Sequence, residues 1–141
     1  MSLTKSEAMA EILKSGKDPA YFINRYAKIS EPMKGLIPFD LYPFQEDALK
    51  IFNDHRFSVV LKARQLGIST TVAGYICWLM LFQREKNVLI VATKLQTATN
   101  LVKKVKSIHK HLPSWLKIAE ISINNRTSFE LTNGSQIKAS S

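Results

Sequence analysis

The residues best placed by type and spacing to do chemistry lie in one short stretch, Lys62-Ala63-Arg64-Gln65-Leu66-Gly67-Ile68-Ser69-Thr70. The chemistry it suggests is the holding of a polyphosphate. Such a loop needs backbone N–H groups that converge at a helix N-terminus. It also needs a nearby cation and a hydroxyl for the β- and γ-phosphates and their Mg2+. The general pattern is G-x-x-x-x-G-K-[ST]. Aligned on Gly67, the first glycine position is Lys62, the lysine position is Ile68 and the hydroxyl position is Ser69. Gly67 and Ser69 fit the pattern. Lys62 and Arg64 flank the turn, and either side chain is long enough to reach phosphates held over Gly67. The competing reading is an ordinary strand-to-helix turn whose basic residues are solvated.

A loop of this kind works only between a buried strand and a helix. The run FSVVLKA at 57–63 is short and β-rich, and reads as a buried strand ahead of the loop. Residues 69–83 follow as a helix that is apolar nearly all round, and so deeply buried. NVLIVAT at 87–93 reads as a second buried strand. The next helix is amphipathic, with Ala98, Val102, Val105, Ile108 and Leu112 turned inward. Strand–helix–strand–helix order implies a right-handed parallel βαβ unit. Downstream, short alternating runs surround Asn133-Gly134, a strong hairpin signal.

Upstream, residues 4–15 have helical spacing, with Ala8, Ile12 and Leu13 on one side and Gly16 as a stop. Asp18-Pro19 starts a second helix with a capping acid and a first-turn proline. SEPMKGLIPF, punctuated by Pro32, Gly35 and Pro38, reads as a connector. Pro43 opens a further helix with Phe44, Ala48, Leu49 and Phe52 on its buried face. We therefore divide the chain into a helical N-terminal arm, 1–34, and a main α/β domain, 35–141.

Composition narrows the function classes. The chain has 141 residues, 45% of them hydrophobic, enough for one modest domain with a real core. A single cysteine, Cys77, excludes a disulfide framework and fits a reducing cytosol. The N-terminus shows no apolar secretory core, and the longest apolar run, 72–82, is too short to span a bilayer. No membrane role is expected. The formal charge of +9 favours a polyanionic partner such as DNA. Lys103, Lys104, Lys106, His109, Lys110 and His111 form a basic helix surface, either a solvated face or a DNA contact. The two histidines are spaced i, i+2 and do not share a helix face, which argues against metal ligation.

ARQLGIST resembles the deviant Walker A loop of the large terminase subunit of tailed bacteriophages, the DNA-packaging ATPase. That family commonly shows an Arg-Gln-x-Gly-Lys-[ST] core; Arg64, Gln65, Gly67 and Ser69 match it, and Ile68 departs at the lysine. LYPFQEDAL at 41–49 is similar to the element upstream of the loop in these ATPases and related helicases, where an aromatic and a glutamine hold adenine. VLIVATKLQTATNLVKKVK and SFELTNGSQIKASS resemble the segments that follow in the family's order. The resemblance covers 41–141 well and 1–40 loosely.

It implies a P-loop NTPase-type, RecA/helicase-like parallel sheet, incomplete here, with the N-terminal arm and a C-terminal β-hairpin. It implies ATP and Mg2+ as ligands. Lys62, Arg64, Gln65, Gly67, Ile68, Ser69 and Thr70 would form the triphosphate loop, with Ser69 on Mg2+. Tyr42 or Phe44 would stack on adenine and Gln45 would read its N7/N6 edge. Thr93, Lys94 and Gln96, at the end of the second strand, would face DNA or a coupling partner. Implied partners are double-stranded DNA, the phage portal, the small terminase subunit and the remaining part of the terminase; the implied compartment is the host cytoplasm. Full-length relatives are ATPases and endonucleases.

Hydrolysis also needs an apolar strand ending in Asp-Glu, for Mg2+ and the attacking water. The acids Glu46, Asp47, Asp54, Glu85, Glu120 and Glu130 are scattered, and none ends such a strand. The clustered carboxylates of a nuclease are likewise missing from the sequence. The chain alone is therefore not expected to hydrolyse ATP. The alternatives are a non-catalytic nucleic-acid-binding or regulatory fragment, and a piece of another helicase-like ATPase. Two parallel strands plus a hairpin leave a sheet edge in want of a partner, so the isolated unit is expected to be marginally stable.

Overall fold

A computed structural model describes residues 3–31, 33–60 and 67–141. Two short helices come first, α1 (Lys5–Lys17) and α2 (Pro19–Tyr26). Asp18 separates them as expected: its carboxylate accepts the Ala20 N–H at 3.0 Å, and Pro19 occupies the first turn. Glu11 ties the pair together by accepting the Tyr21 hydroxyl, the Tyr26 hydroxyl and the Arg25 Nε–H. Phe22 and Ile23 of α2 are fully buried and belong to the central hydrophobic core.

The expected connector is instead a β-hairpin. Strand β1 (Lys28–Glu31) pairs antiparallel with β2 (Gly35–Pro38), Ile29 opposite Ile37. Gly35 has φ +76, and Glu31 accepts the Met33 and Lys34 N–H groups across the turn. The proline–glycine punctuation thus marks a turn between strands rather than an unstructured link. The boundary drawn at 34/35 falls in this hairpin.

Pro43 opens α3 (Pro43–Asp54). Leu49 is buried in it as expected, whereas Phe44 is exposed and Gln45 is buried in its place. Helix α4 (Ile68–Phe82) is the centre of the molecule, packed against α2, α3 and α5 (Leu95–Lys110). Its apolar surface explains that position. Gly74 lets α2 approach, since a Cβ there would lie 2.8 Å from Ile23 Cδ1. Trp78 anchors α1 by donating its indole N–H to the Ser15 carbonyl at 2.8 Å. On α5, Ala98, Val102, Val105 and Ile108 are buried as the periodicity predicts. His109, expected on the basic outer surface, is buried and bonded through Nε2 to the Ala119 carbonyl at 2.8 Å.

The main sheet is mixed. Its order is β3-β6-β5-β4, with β3 (Asn87–Val91) parallel to β6 (Gln136–Ser140). Strands β4 (Ile121–Asn124) and β5 (Ser128–Leu131) complete it antiparallel. The fold is α/β, and among the described residues the parallel pair is β3 with β6. Residues 57–60 form no strand, and Val59 is 99% exposed; 61–63 lie outside the described residues. β-propensity is a weak local preference and does not by itself make a strand. β3 itself, expected to be buried, alternates in burial, and Leu89 and Val91 are exposed. Among the described residues its second edge has no partner.

The Asn133-Gly134 turn joins β5 to β6 as expected and also closes the end of α4. Asn133 Nδ2 donates to the Met80 carbonyl at 2.7 Å and the Gln83 carbonyl at 3.2 Å, and the Ser135 hydroxyl donates to the Gln83 carbonyl at 3.0 Å. These bonds take up carbonyls that a helix end leaves free.

Candidate functional site

The N-termini of α3 and α4 meet through one side chain. Gln45, only 3% exposed, accepts the Tyr42 N–H on Oε1 at 2.8 Å. Its Nε2 donates to the Gly67 carbonyl at 3.3 Å. The same carbonyl accepts the Thr71 N–H at 3.0 Å and the Thr71 hydroxyl at 2.8 Å. Gly67 caps α4 in the left-handed region, φ +72, and a Cβ on it would lie 2.7 Å from Gln45 Nε2. Glycine is therefore required here twice over, by backbone angle and by space.

A glycine cap brings no side chain to the first-turn N–H groups of α4, and that turn holds no acid. Both features suit an approaching anion. A cleft of about 430 Å3 opens in front of this turn, lined among others by Gly67, Thr70, Gln45, Tyr42, Phe44 and Asp40. Its size falls in the range of small-molecule sites. The Tyr42 and Phe44 rings lie nearly parallel, 8° apart with centroids at 5.9 Å, and both are exposed. Both rings line the cleft and give it an aromatic surface. Among the described residues, the Gln45 carboxamide keeps one N–H and one lone pair beyond these bonds, the two kinds of group an adenine edge would use.

The structure thus brings Tyr42, Phe44, Gln45, Gly67 and Thr70 together in one cleft. Ile68 is buried, so its side chain is part of the interior rather than of a phosphate cradle. Ser69 is exposed in the first turn of α4, next to the cleft residues but outside its lining. Lys62, Arg64 and Gln65 lie outside the described residues. Thr93, Lys94 and Gln96 stand apart: all three are exposed at the β3–α5 junction, and Gln96 donates to Asn100 Oδ1 at 2.9 Å.

Sequence reasoning missed two contributors. Asp40 lines the cleft two residues before Tyr42 and could accept from a ribose hydroxyl. Lys104, on α5, donates to the Thr70 hydroxyl at 3.5 Å. No local pattern announces Lys104, because α5 reaches the α4 N-terminus only through tertiary packing. Among the described residues, no group of three or more His, Cys, Asp or Glu side chains is placed to hold a metal ion. No described helix is long and apolar enough to cross a membrane. No known protein-family profile matches the chain.

Proposed function

We propose that this chain is the ATP-binding portion of a P-loop NTPase-type motor, a viral DNA-packaging terminase large subunit. The observation that carries the reading is the Gln45 bridge. It joins the start of α3, with the aromatic pair Tyr42 and Phe44, to the acid-free N-terminus of α4 behind Gly67, and all of these line one cleft. Adenine would lie against Tyr42 or Phe44, with Gln45 on its N7/N6 edge. The phosphates would lie over Gly67, Ile68, Ser69 and Thr70, drawing on backbone N–H groups, with the Ser69 hydroxyl toward Mg2+. Lys62, Arg64 and Gln65 complete the loop in this reading. Hydrolysis requires an apolar strand ending in Asp-Glu, which this sequence does not contain, so the chain's own task is nucleotide binding. Coupling to DNA movement, and contacts with the portal and the small subunit, belong to the whole motor in the host cytoplasm. The motif order along 41–141 is what favours a terminase over another helicase-like ATPase.

The second reading, a non-catalytic nucleic-acid-binding or regulatory fragment, is favoured by the +9 charge and by the buried Ile68. Calorimetric titration with MgATP, MgGTP and a double-stranded DNA oligomer separates the two. The motor reading predicts saturable MgATP binding, preferred over GTP and weakened in Gln45→Ala. DNA binding that falls steeply with salt, together with no response to ATP, would favour the second reading.

A further inference from the structure

A second cleft, of about 290 Å3, adjoins the first and shares Ile29 and Thr70 with it. Three lysines line it: Lys28 from β1, and Lys103 and Lys104 from α5, with Ser107 beside them. Among the described residues, the ion pairs within 4.0 Å are Lys14 and Arg25 with Glu11, so none of the three lysines has a carboxylate partner. Like charges gathered on one cleft repel unless an anion sits among them. Lys104 adds a second, independent sign. Its Nζ lies 3.5 Å from Thr70 Oγ1, in the first turn of α4. That is the positive end of the helix dipole, where a cation is unfavourable and an anion favourable. A phosphate seated beside Lys104 and Thr70, in the cleft that both line, would offset this charge.

We infer that Lys104 holds the terminal phosphate of the nucleotide, supplying from α5 the cation that Ile68 does not, with Lys28 and Lys103 setting the surrounding positive field. This rests on the nucleotide reading above. The two clefts join at Thr70, so base at Tyr42/Phe44, phosphates over the α4 N-terminus and terminal phosphate at Lys104 follow one continuous path.

The test compares ATP and AMP affinities of the full chain as wild type, Lys104→Met, Lys104→Gln and Lys110→Met. Lys104 and Lys110 are both exposed on α5, so each change is compatible with folding, checked by circular dichroism. Lys110→Met removes the same charge away from the cleft. The expected result is a drop of about tenfold or more in ATP affinity for both Lys104 variants, the scale of one lost charge-assisted contact. AMP affinity should stay within about twofold, and Lys110→Met should bind ATP like wild type. Wild-type ATP binding left unchanged by both Lys104 variants overturns the inference while the nucleotide reading stands. An equal loss in Lys110→Met also overturns it, since the effect is then general attraction. Wild type that binds neither nucleotide removes both claims.

Discussion

Replacing Gly67 with alanine should destabilise the protein by an amount that can be divided into two parts. The first is backbone strain. At φ +72 an L-residue is held in the left-handed region, at a cost of about 1–2 kcal/mol. The second is steric. The new Cβ would stand 2.7 Å from Gln45 Nε2, so the carboxamide must move. Gln45 is buried, and moving it threatens its bonds to Gly67 O and Tyr42 N; stranding a buried polar group costs about 1–3 kcal/mol. The Gly67 bond is the longer of the two, so the lower half of that range is expected. Together Gly67→Ala should cost about 2–4 kcal/mol. Urea unfolding followed by Trp78 and Trp115 fluorescence reads this directly, as a lowered midpoint at constant slope. A double-mutant cycle isolates the steric part. On a Gln45→Ala background the clash is gone, and Gly67→Ala should cost only the backbone term, about 1–2 kcal/mol. A cost below about 0.5 kcal/mol in the wild-type background would refute the left-handed assignment. Equal costs in both backgrounds would refute the contact with Gln45.

Three further outcomes are expected. Asn133→Ala should destabilise by about 1–3 kcal/mol in urea unfolding, because it removes the side-chain donor to the Met80 carbonyl and one of the two to the Gln83 carbonyl; a neutral result would mean that Asn133 does not close α4. Glu11 has its pKa lowered from 4.5, chiefly by the Tyr26 hydroxyl, against a desolvation cost, with Tyr21 and Arg25 adding to the lowering. Its contribution is therefore present above about pH 4.5 and lost as pH falls through the depressed value; Glu11→Gln should flatten the acid limb of a stability–pH profile, and an unchanged limb would contradict the assignment. Burial pushes the Cys77 thiol up to about 12, so a disulfide reagent at pH 8 should react only as fast as the protein opens, and in a single fast phase once it is unfolded in urea.

Where the chain's signals are local, the sequence reading and the fold agree. Asp18-Pro19, the Pro43 helix start, the all-round apolar α4, the inward stripe of α5 and the Asn133-Gly134 turn each act within a few residues. Where the outcome depends on distant partners, the two part. The β1–β2 segment looked like a connector because Pro32, Gly35 and Pro38 punctuate its sequence. Residues 57–60 have strand-like composition, but none of the four is in a strand. His109 carries a polar label yet faces inward, because the Ala119 carbonyl satisfies it. The candidate site divides in the same way. Gly67 was legible from motif spacing and Gln45 only through the family resemblance; their mutual contact was not legible, since they lie 22 positions apart. The lysine cleft draws on β1 and α5, and no motif joins those two segments.

The central claim is that an adenine base lies against the Tyr42–Phe44 surface beside Gln45. Photolabelling the chain with an azidoadenine triphosphate, followed by mass spectrometry of its peptides, tests this most directly. The account predicts label within residues 41–49, suppressed by excess ATP and reduced in Gln45→Ala. Label that ATP does not compete, or competed label only elsewhere in the chain, would contradict it.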